Sequence, residues 1–458
     1  MTLQHHPALD PNPPRQDPPP RRGEGLILAV AALAGAVLVA GGLFLFQRSQ
    51  NDDATVDTAA PAEDTAPEEV PDEPVPTPDT DPQPEAQEDD EVDQTEESER
   101  SEAVPPGLDP TVEVLACPAE VEQVICDAAT FVQQARGRPF QEFPSVELLA
   151  DAEFDIALLD DFASFEDDLL EYERLLKGLG LIPENLDMVQ AFRDLLESGV
   201  VGFYDPDTRR LVVRGGDFNL YGQLVLVHEL VHAFDDQWFD LSRDDFPNAD
   251  AEYGYLAVIE GNASWVEELW RAALSPQEQT MLSAQELDAL SPEDIQRILA
   301  LPQVLLALQA SAYVDGEIFV DSLLDSGGVA AVDEAFSEPP ISSESVLHPD
   351  LDPAALEVVD VAPPPADGET LDDGVLGELV VRQWLGQQAA AGWGGDAYVV
   401  YSAGGQTCLR VDLAADTPTD LIEMENAISG WVSDDIEDRS VETISTADGN
   451  AIRATGCF

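Results

Sequence analysis

Apolar residues are distributed along this chain in four patterns. The first is an unbroken run from Gly25 to Phe46. A helix of that length, at about 1.5 Å per residue, covers a bilayer core of about 30 Å, so the run predicts a transmembrane helix. The second pattern, 47–108, has almost no large apolar residue and is rich in Pro, Asp, Glu, Thr and Ala. Such a sequence cannot bury a core and predicts an extended, self-repelling tether. Folded sequence begins near Thr111, and from there the period is helical. Phe154 to Gly178 carries apolar residues at three- and four-residue spacing among acids. Leu220–Asp236 predicts a helix. Ala249–Leu274 predicts a second, with Tyr253, Leu256, Val258, Ile259, Trp265, Val266, Leu269 and Trp270 facing inward. More helices are expected over 276–335. Between them, Val201, Phe203, Tyr204 and Leu211, Val212, Val213 flank Asp205-Pro206-Asp207-Thr208, a turn sequence, so Val200–Arg214 predicts a β-hairpin. The fourth pattern, beyond Gly377, mixes a helix with strands, and Val441–Thr446 and Ala451–Cys457 around Asp448-Gly449 predict a terminal hairpin. The sum is an α+β, mostly helical domain over 109–458, with no internal repeat.

The flanks of the apolar run give it a direction. Arg15, Arg21 and Arg22 precede it; Arg48 and then an acidic stretch follow. The positive-inside rule makes 1–24 a cytoplasmic tail, 25–46 a single-pass signal anchor in the cell membrane, and the rest extracytoplasmic. A cleaved signal peptide would have a shorter apolar core, and A-x-A patterns such as Ala32-Leu33-Ala34 lie inside the run rather than after it, which favours a retained anchor. On this topology Cys117, Cys126, Cys408 and Cys457 lie where disulfides persist. Of three possible pairings, Cys117–Cys126 with Cys408–Cys457 is expected. Nine residues of straight helix would hold Cys117 and Cys126 about 13 Å apart, so that pair cannot share one helix.

Charge changes the picture of the surroundings. The chain has 93 Asp and Glu against 20 Lys and Arg, a formal net charge of −73, and Lys177 is its only lysine. Residues 1–102 hold 24 of the acids and five Arg, which leaves 69 acids against 15 bases in the folded part. This excludes nucleic acid as a partner, because phosphate binding needs clustered cations. Self-repulsion at this density is relieved by salt. The charge therefore predicts adaptation to high salt, tested by whether thermal stability rises with added KCl or NaCl.

The candidate chemistry lies in Val227-His228-Glu229-Leu230-Val231-His232-Ala233-Phe234-Asp235-Asp236. In this H-E-x-x-H motif, His228 and His232 stand one helical turn apart on one face, so both imidazoles can reach one ion. Glu229 is offset from them and placed to act as a base towards water at that ion rather than to bind it. Of the five histidines, His5 and His6 lie in the expected cytoplasmic tail, so two of the three outside stand at metal-ligand spacing. A catalytic zinc needs a third protein ligand and an open position. Glu260, in Val258-Ile259-Glu260-Gly261-Asn262-Ala263, interrupts the apolar face of the second helix, where a carboxylate needs a partner. Glu252, Glu267 and Glu268 are alternatives on its more polar face. The chain has no G-x-S-x-G, no P-loop and no G-x-G-x-x-G after a strand.

This segment, with a Glu on the next helix, resembles the gluzincin metallopeptidases, the thermolysin-like zincins. More narrowly, the chain is similar to an uncharacterised group of membrane-tethered or secreted bacterial zincins. The likeness rests on Gly202-Phe203-Tyr204-Asp205, His228 through Gln237, Glu260-Gly261-Asn262-Ala263, Tyr313 with Gly316, Ser343-Glu344 with His348-Pro349, and Gly392 through Asp396. It implies a zincin-like domain that hydrolyses peptide bonds in a peptide or protein substrate. His228, His232 and Glu260 would bind Zn2+, and Glu229 would be the general base. Asp236, four residues after His232, would orient a liganding imidazole. His348 would stabilise the oxyanion, with Tyr313 a second candidate for that role. Tyr204 on the hairpin would line the cleft, where zincins take peptides as an added strand. Two positions depart from the pattern: Ser264 stands where thermolysin-like enzymes usually carry Asp, and Asn262 where the narrower group often has Asp. A retired protease used for binding, and a zinc hydrolase of non-peptide substrates, are the alternatives.

Overall fold

The computed structural model describes residues 107–458, except 197–199, 216–217, 353–355, 357, 434–437 and 447–448. The expected tail, anchor and nearly all of the tether lie outside the described residues, as does Asp448. Among the described residues no single helix is long and apolar enough to cross a membrane.

The chain begins with α1 (Gln123–Ala135), β1 (Val146–Leu149), α2 (Asp151–Phe162), α3 (Glu166–Leu179) and α4 (Met188–Leu196). The hairpin β2 (Gly202–Asp205) and β3 (Arg210–Arg214) leads to two long helices, α5 (Leu220–Phe239) and α6 (Ala249–Ala273). Five helices follow: α7 (Pro276–Ala289), α8 (Pro292–Ala300), α9 (Gln303–Gly327), α10 (Val329–Ser337) and the short α11 (Ser343–Leu347). The last part comprises β4 (Glu369–Gly374), α12 (Gly377–Leu385), α13 (Gln387–Ala390), β5 (Trp393–Ala403), β6 (Gln406–Ala415), α14 (Pro418–Ser433), β7 (Arg439–Ser445) and β8 (Asn450–Cys457). The fold class is α+β with helix predominant, as the periodicity predicts.

Local chemistry sets the helix ends. Asn219 and Asn248 cap α5 and α6 by accepting from the Gly222 and Ala251 backbone N–H groups, each at 2.9 Å. Ser275 with Glu278 and Ser291 with Asp294 form capping boxes, and Pro276 and Pro292 stand at the first helical position of α7 and α8. The helical spacing over Phe154–Gly178 is carried by two helices, α2 and α3, joined by one 3-10 turn at Ala163–Phe165.

Among the described residues there are two sheets. In the first, the predicted hairpin pairs Phe203 with Val212, and β1, which the sequence does not announce, adds parallel to β3. The order is β1-β3-β2, so β2 is an edge. The second sheet is antiparallel, in the order β4-β5-β6-β8-β7, and contains the terminal hairpin. Cys408 faces Cys457 across β6 and β8 in one disulfide, and the other joins Cys117, outside α1, to Cys126 within it.

The α6–α9 contact brings two backbones together. A Cβ on Gly261 would meet the Gly316 carbonyl, and one on Gly316 would meet the Ala257 carbonyl. Only glycine allows this approach, and it sets Tyr313 of α9 against α5.

Beside the N-terminus of α6, Asp250 is 4% exposed and accepts from the Ser343 N–H at 3.0 Å. Burial pushes its carboxyl up to about 7, with Asp396 of β5 and Glu378 of α12 adding to the rise against the Ser343 hydrogen bonds. A raised carboxyl pKa stabilises the fold below the unfolded value near 4, and that contribution is lost as pH climbs through 7. Asp250→Asn is therefore expected to be more thermostable than wild type at pH 8 and to lose that advantage by pH 4. Parallel melting curves across this window would refute the assignment.

Candidate metal centre

Helix α5 is apolar nearly all round, and every residue from Leu224 to Asp236 is buried. Leu226, Val227, Leu230, Val231, Ala233 and Phe234 pack with α1, β2, β3 and α6 in one cluster. Five polar side chains of this helix, His228, Glu229, His232, Asp235 and Asp236, are therefore buried, and each needs a partner.

The partners of His228 and His232 come from α6. Glu260 is fully buried, with Oε2 3.3 Å from His228 Nε2 and 3.5 Å from His232 Nε2. One ligand atom from each of the three residues lies within 4.8 Å of the others. The Glu260 carboxylate meets the two imidazoles and the Tyr313 phenol, and His232 Nδ1 has no hydrogen-bond partner. Buried nitrogen and oxygen atoms at this spacing fit an ion. Ligands on a tetrahedral metal with bonds of about 2.0–2.1 Å stand roughly 3.3–3.5 Å apart. Burial works against charge on Glu260, but the two imidazoles outweigh it and hold its pKa down at about 2. The sequence-predicted ligand set is thus brought together by two elements that pack antiparallel, since Asn262 meets Asp235 while Glu267 meets His228.

Glu229 is 2% exposed and lies under the hairpin. Gly202 in β2 makes room for it, because a Cβ there would stand 3.3 Å from Glu229 Cγ. The Tyr204 backbone N–H of the edge strand bonds the carboxylate, while Oε2 has no partner. Burial pushes this carboxyl up, and the neighbouring imidazoles oppose the rise.

The structure does not bring Asp236 to an imidazole. Its oxygens accept from Tyr204 Oη at 2.8 Å and Leu241 N at 3.0 Å, with Arg209 Nε at 3.2 Å. It ties the hairpin to α5, and Tyr204 is occupied by that bond. Its neighbour Asp235 pairs with Arg136, the C-cap of α1, at 3.1 Å and accepts from Asn262 Nδ2 at 2.6 Å. The carboxylate that does reach a liganding imidazole is Glu267, with Oε2 3.3 Å from His228 Nδ1. By its spacing Glu267 belongs to the more polar face of α6, yet it is 5% exposed. Its register with Glu260, two turns back, was the available signal.

His348 is likewise placed elsewhere. It caps α11, and its Nε2 stands 2.9 Å from both carboxylate oxygens of Glu378 in α12. The aromatic beside the triad is Tyr313 of α9, whose ring lies 6.1 Å from that of His228 and inclined by 23°. Burial and the facing carboxylates of Glu260 and Glu229 push its phenol well above the usual range. No family model, no curated protein and no solved structure matches this chain. What this centre does is therefore argued from its own geometry. A cavity of about 710 Å³ between α3, α6 and β4 contains none of the triad and lies apart from this chemistry.

Proposed function

We propose that this protein is a zinc metallopeptidase of the gluzincin type, held by its Gly25–Phe46 run on the outer face of the cell membrane. The observation that carries the reading is Glu229. An ion that only braced the fold would need no base, yet a buried carboxylate with one free oxygen stands next to the triad. Two imidazoles and one carboxylate form a three-ligand set of the kind that catalytic zinc uses. When bound, zinc supplies Lewis acidity that polarises a carbonyl and acidifies water.

The protein's residues supply the rest. Glu229 takes a proton at Oε2, with its other oxygen steadied by the Tyr204 N–H. The edge strand β2 accepts an extended peptide as an added strand beside Glu229. Tyr313, rather than His348, donates to the oxygen that gains charge. Tyr313→Phe is expected to lower kcat by about 10²–10³-fold with KM and zinc content unchanged. An unaltered kcat would remove Tyr313 from the reaction.

The test of the whole reading is metal analysis of the purified protein, joined to a casein and peptide-library assay in high salt. The expected result is one zinc per chain and hydrolysis that stops on chelation. A zinc-loaded protein inert on every peptide would point instead to a binding module. Failure to take up metal at high salt would remove the site.

A further inference from the structure

We propose that Glu267 is the residue that orients His228 as a metal ligand, a positioning role that rests on the metallopeptidase reading above. Seven residues of α-helix turn through about 700°, so Glu267 returns to the face of Glu260, about 10.5 Å further along α6. The two carboxylates then address opposite sides of one imidazole. Glu260 Oε2 stands 3.3 Å from His228 Nε2, and Glu267 Oε2 stands 3.3 Å from His228 Nδ1. A neutral imidazole carries one proton. A carboxylate on Nδ1 keeps the proton there and leaves the Nε2 lone pair for the ion.

Glu267 is itself held. Its Oε1 lies 3.4 Å from Arg271 Nη2, which also pairs with Glu286 of α7 at 2.8 Å, while Arg271 Nε meets Glu268 at 2.9 Å. The other imidazole has no such partner. His232 Nδ1 is buried without a hydrogen bond, Asp236 is engaged by Tyr204 and Leu241, and Asp235 by Arg136 and Asn262. Ser264, one turn past Glu260, carries no carboxylate. The two histidines are thus held unequally, and Glu267 provides the buried carboxylate contact to a liganding ring.

The experiment is zinc affinity of the full chain by competition with a chromophoric chelator, with the melting temperature of the metal-free protein measured alongside. Glu267→Gln is expected to weaken zinc binding by about 10–100-fold while the metal-free melting temperature stays near wild type. Arg271→Met, which leaves the His228–Glu267 contact in place, should change zinc affinity less than about threefold even where it lowers stability. An affinity within threefold of wild type for Glu267→Gln overturns the proposal and leaves the metallopeptidase reading standing. Equal losses in both variants also overturn it, because they indicate a packing role. A wild-type protein that binds no zinc overturns both ideas together. Should Glu267→Gln not fold, the zinc-loaded wild type labelled with 15N-histidine decides: a slowly exchanging Nδ1–H resonance from His228 is expected, and an Nε2–H tautomer there refutes the proposal.

Discussion

Replacing Glu229 with glutamine is expected to cut peptide hydrolysis by about 10²–10⁴-fold at unchanged zinc content. The substitution keeps the shape of the side chain and an oxygen that can accept from the Tyr204 N–H, so the hairpin keeps its seat on α5. It removes the capacity to take a proton. Glu229 is not one of the three clustered ligands, so metal binding should survive. Glu260→Ala should do the reverse and empty the site, because it removes the buried carboxylate that faces both imidazole Nε2 atoms. The measurement is kcat/KM on a peptide that the wild type cleaves, with metal content determined on the same samples. Loss of metal together with activity in Glu229→Gln would mean that the residue holds the site together. Activity within tenfold of wild type would end its assignment as the base.

How far the sequence could be read depended on the kind of signal each feature left. The H-E-x-x-H motif needs only one helix, and Glu260 shows itself as an acid on an apolar helical face, so the cluster of His228, His232 and Glu260 and the buried Glu229 beside it can be found without coordinates. The hairpin was legible because Asp205-Pro206-Asp207-Thr208 breaks two apolar runs. By contrast β1 is four residues long, and its parallel pairing with β3 spans about sixty residues of chain, which no local pattern encodes. The expected roles of Asp236 and His348 come from the resemblance, that of Asp236 through its spacing from His232. Spacing fixes which face of a helix a side chain takes, but not which neighbour claims it first. Tyr204 claims Asp236, and Glu378 claims His348. Glu267 was lost among the chain's many acids, since burial, not identity, separates it from Glu268 one residue later.

The same reasoning gives the largest expected effect on stability, at Arg136. This guanidinium is 1% exposed, and both partners of its ion pair with Asp235 are fully shielded from solvent. It also reaches Asp333 of α10 at 2.9 Å, and Arg138 meets the same carboxylate. Phe234 and Phe336 lie with ring centres 5.8 Å from its carbon. Arg136 thus joins α1, α5 and α10 behind the triad. Arg136→Met keeps most of the apolar volume but leaves Asp235 buried without its ion-pair partner, with His232 and the Asn262 hydrogen bond only partly offsetting its charge. Removing one partner of a buried pair costs about 3–5 kcal/mol, whereas replacing both is often close to neutral. In a domain of about 350 residues such a loss lowers the melting temperature by about 4–7 °C. Arg136→Met with Asp235→Asn should therefore recover more than half of the loss, because the stranded charge is gone. Denaturation of the two variants in high salt measures this, since screening there suppresses surface charge effects but not a pair closed off from water. A single variant that melts with wild type, or a double variant no better than the single, would show that the buried charge is not what Arg136 answers. Asp235 lies one helical turn beyond His232, so a loosened Asp235 should also be visible as faster zinc release from Arg136→Met than from the double variant.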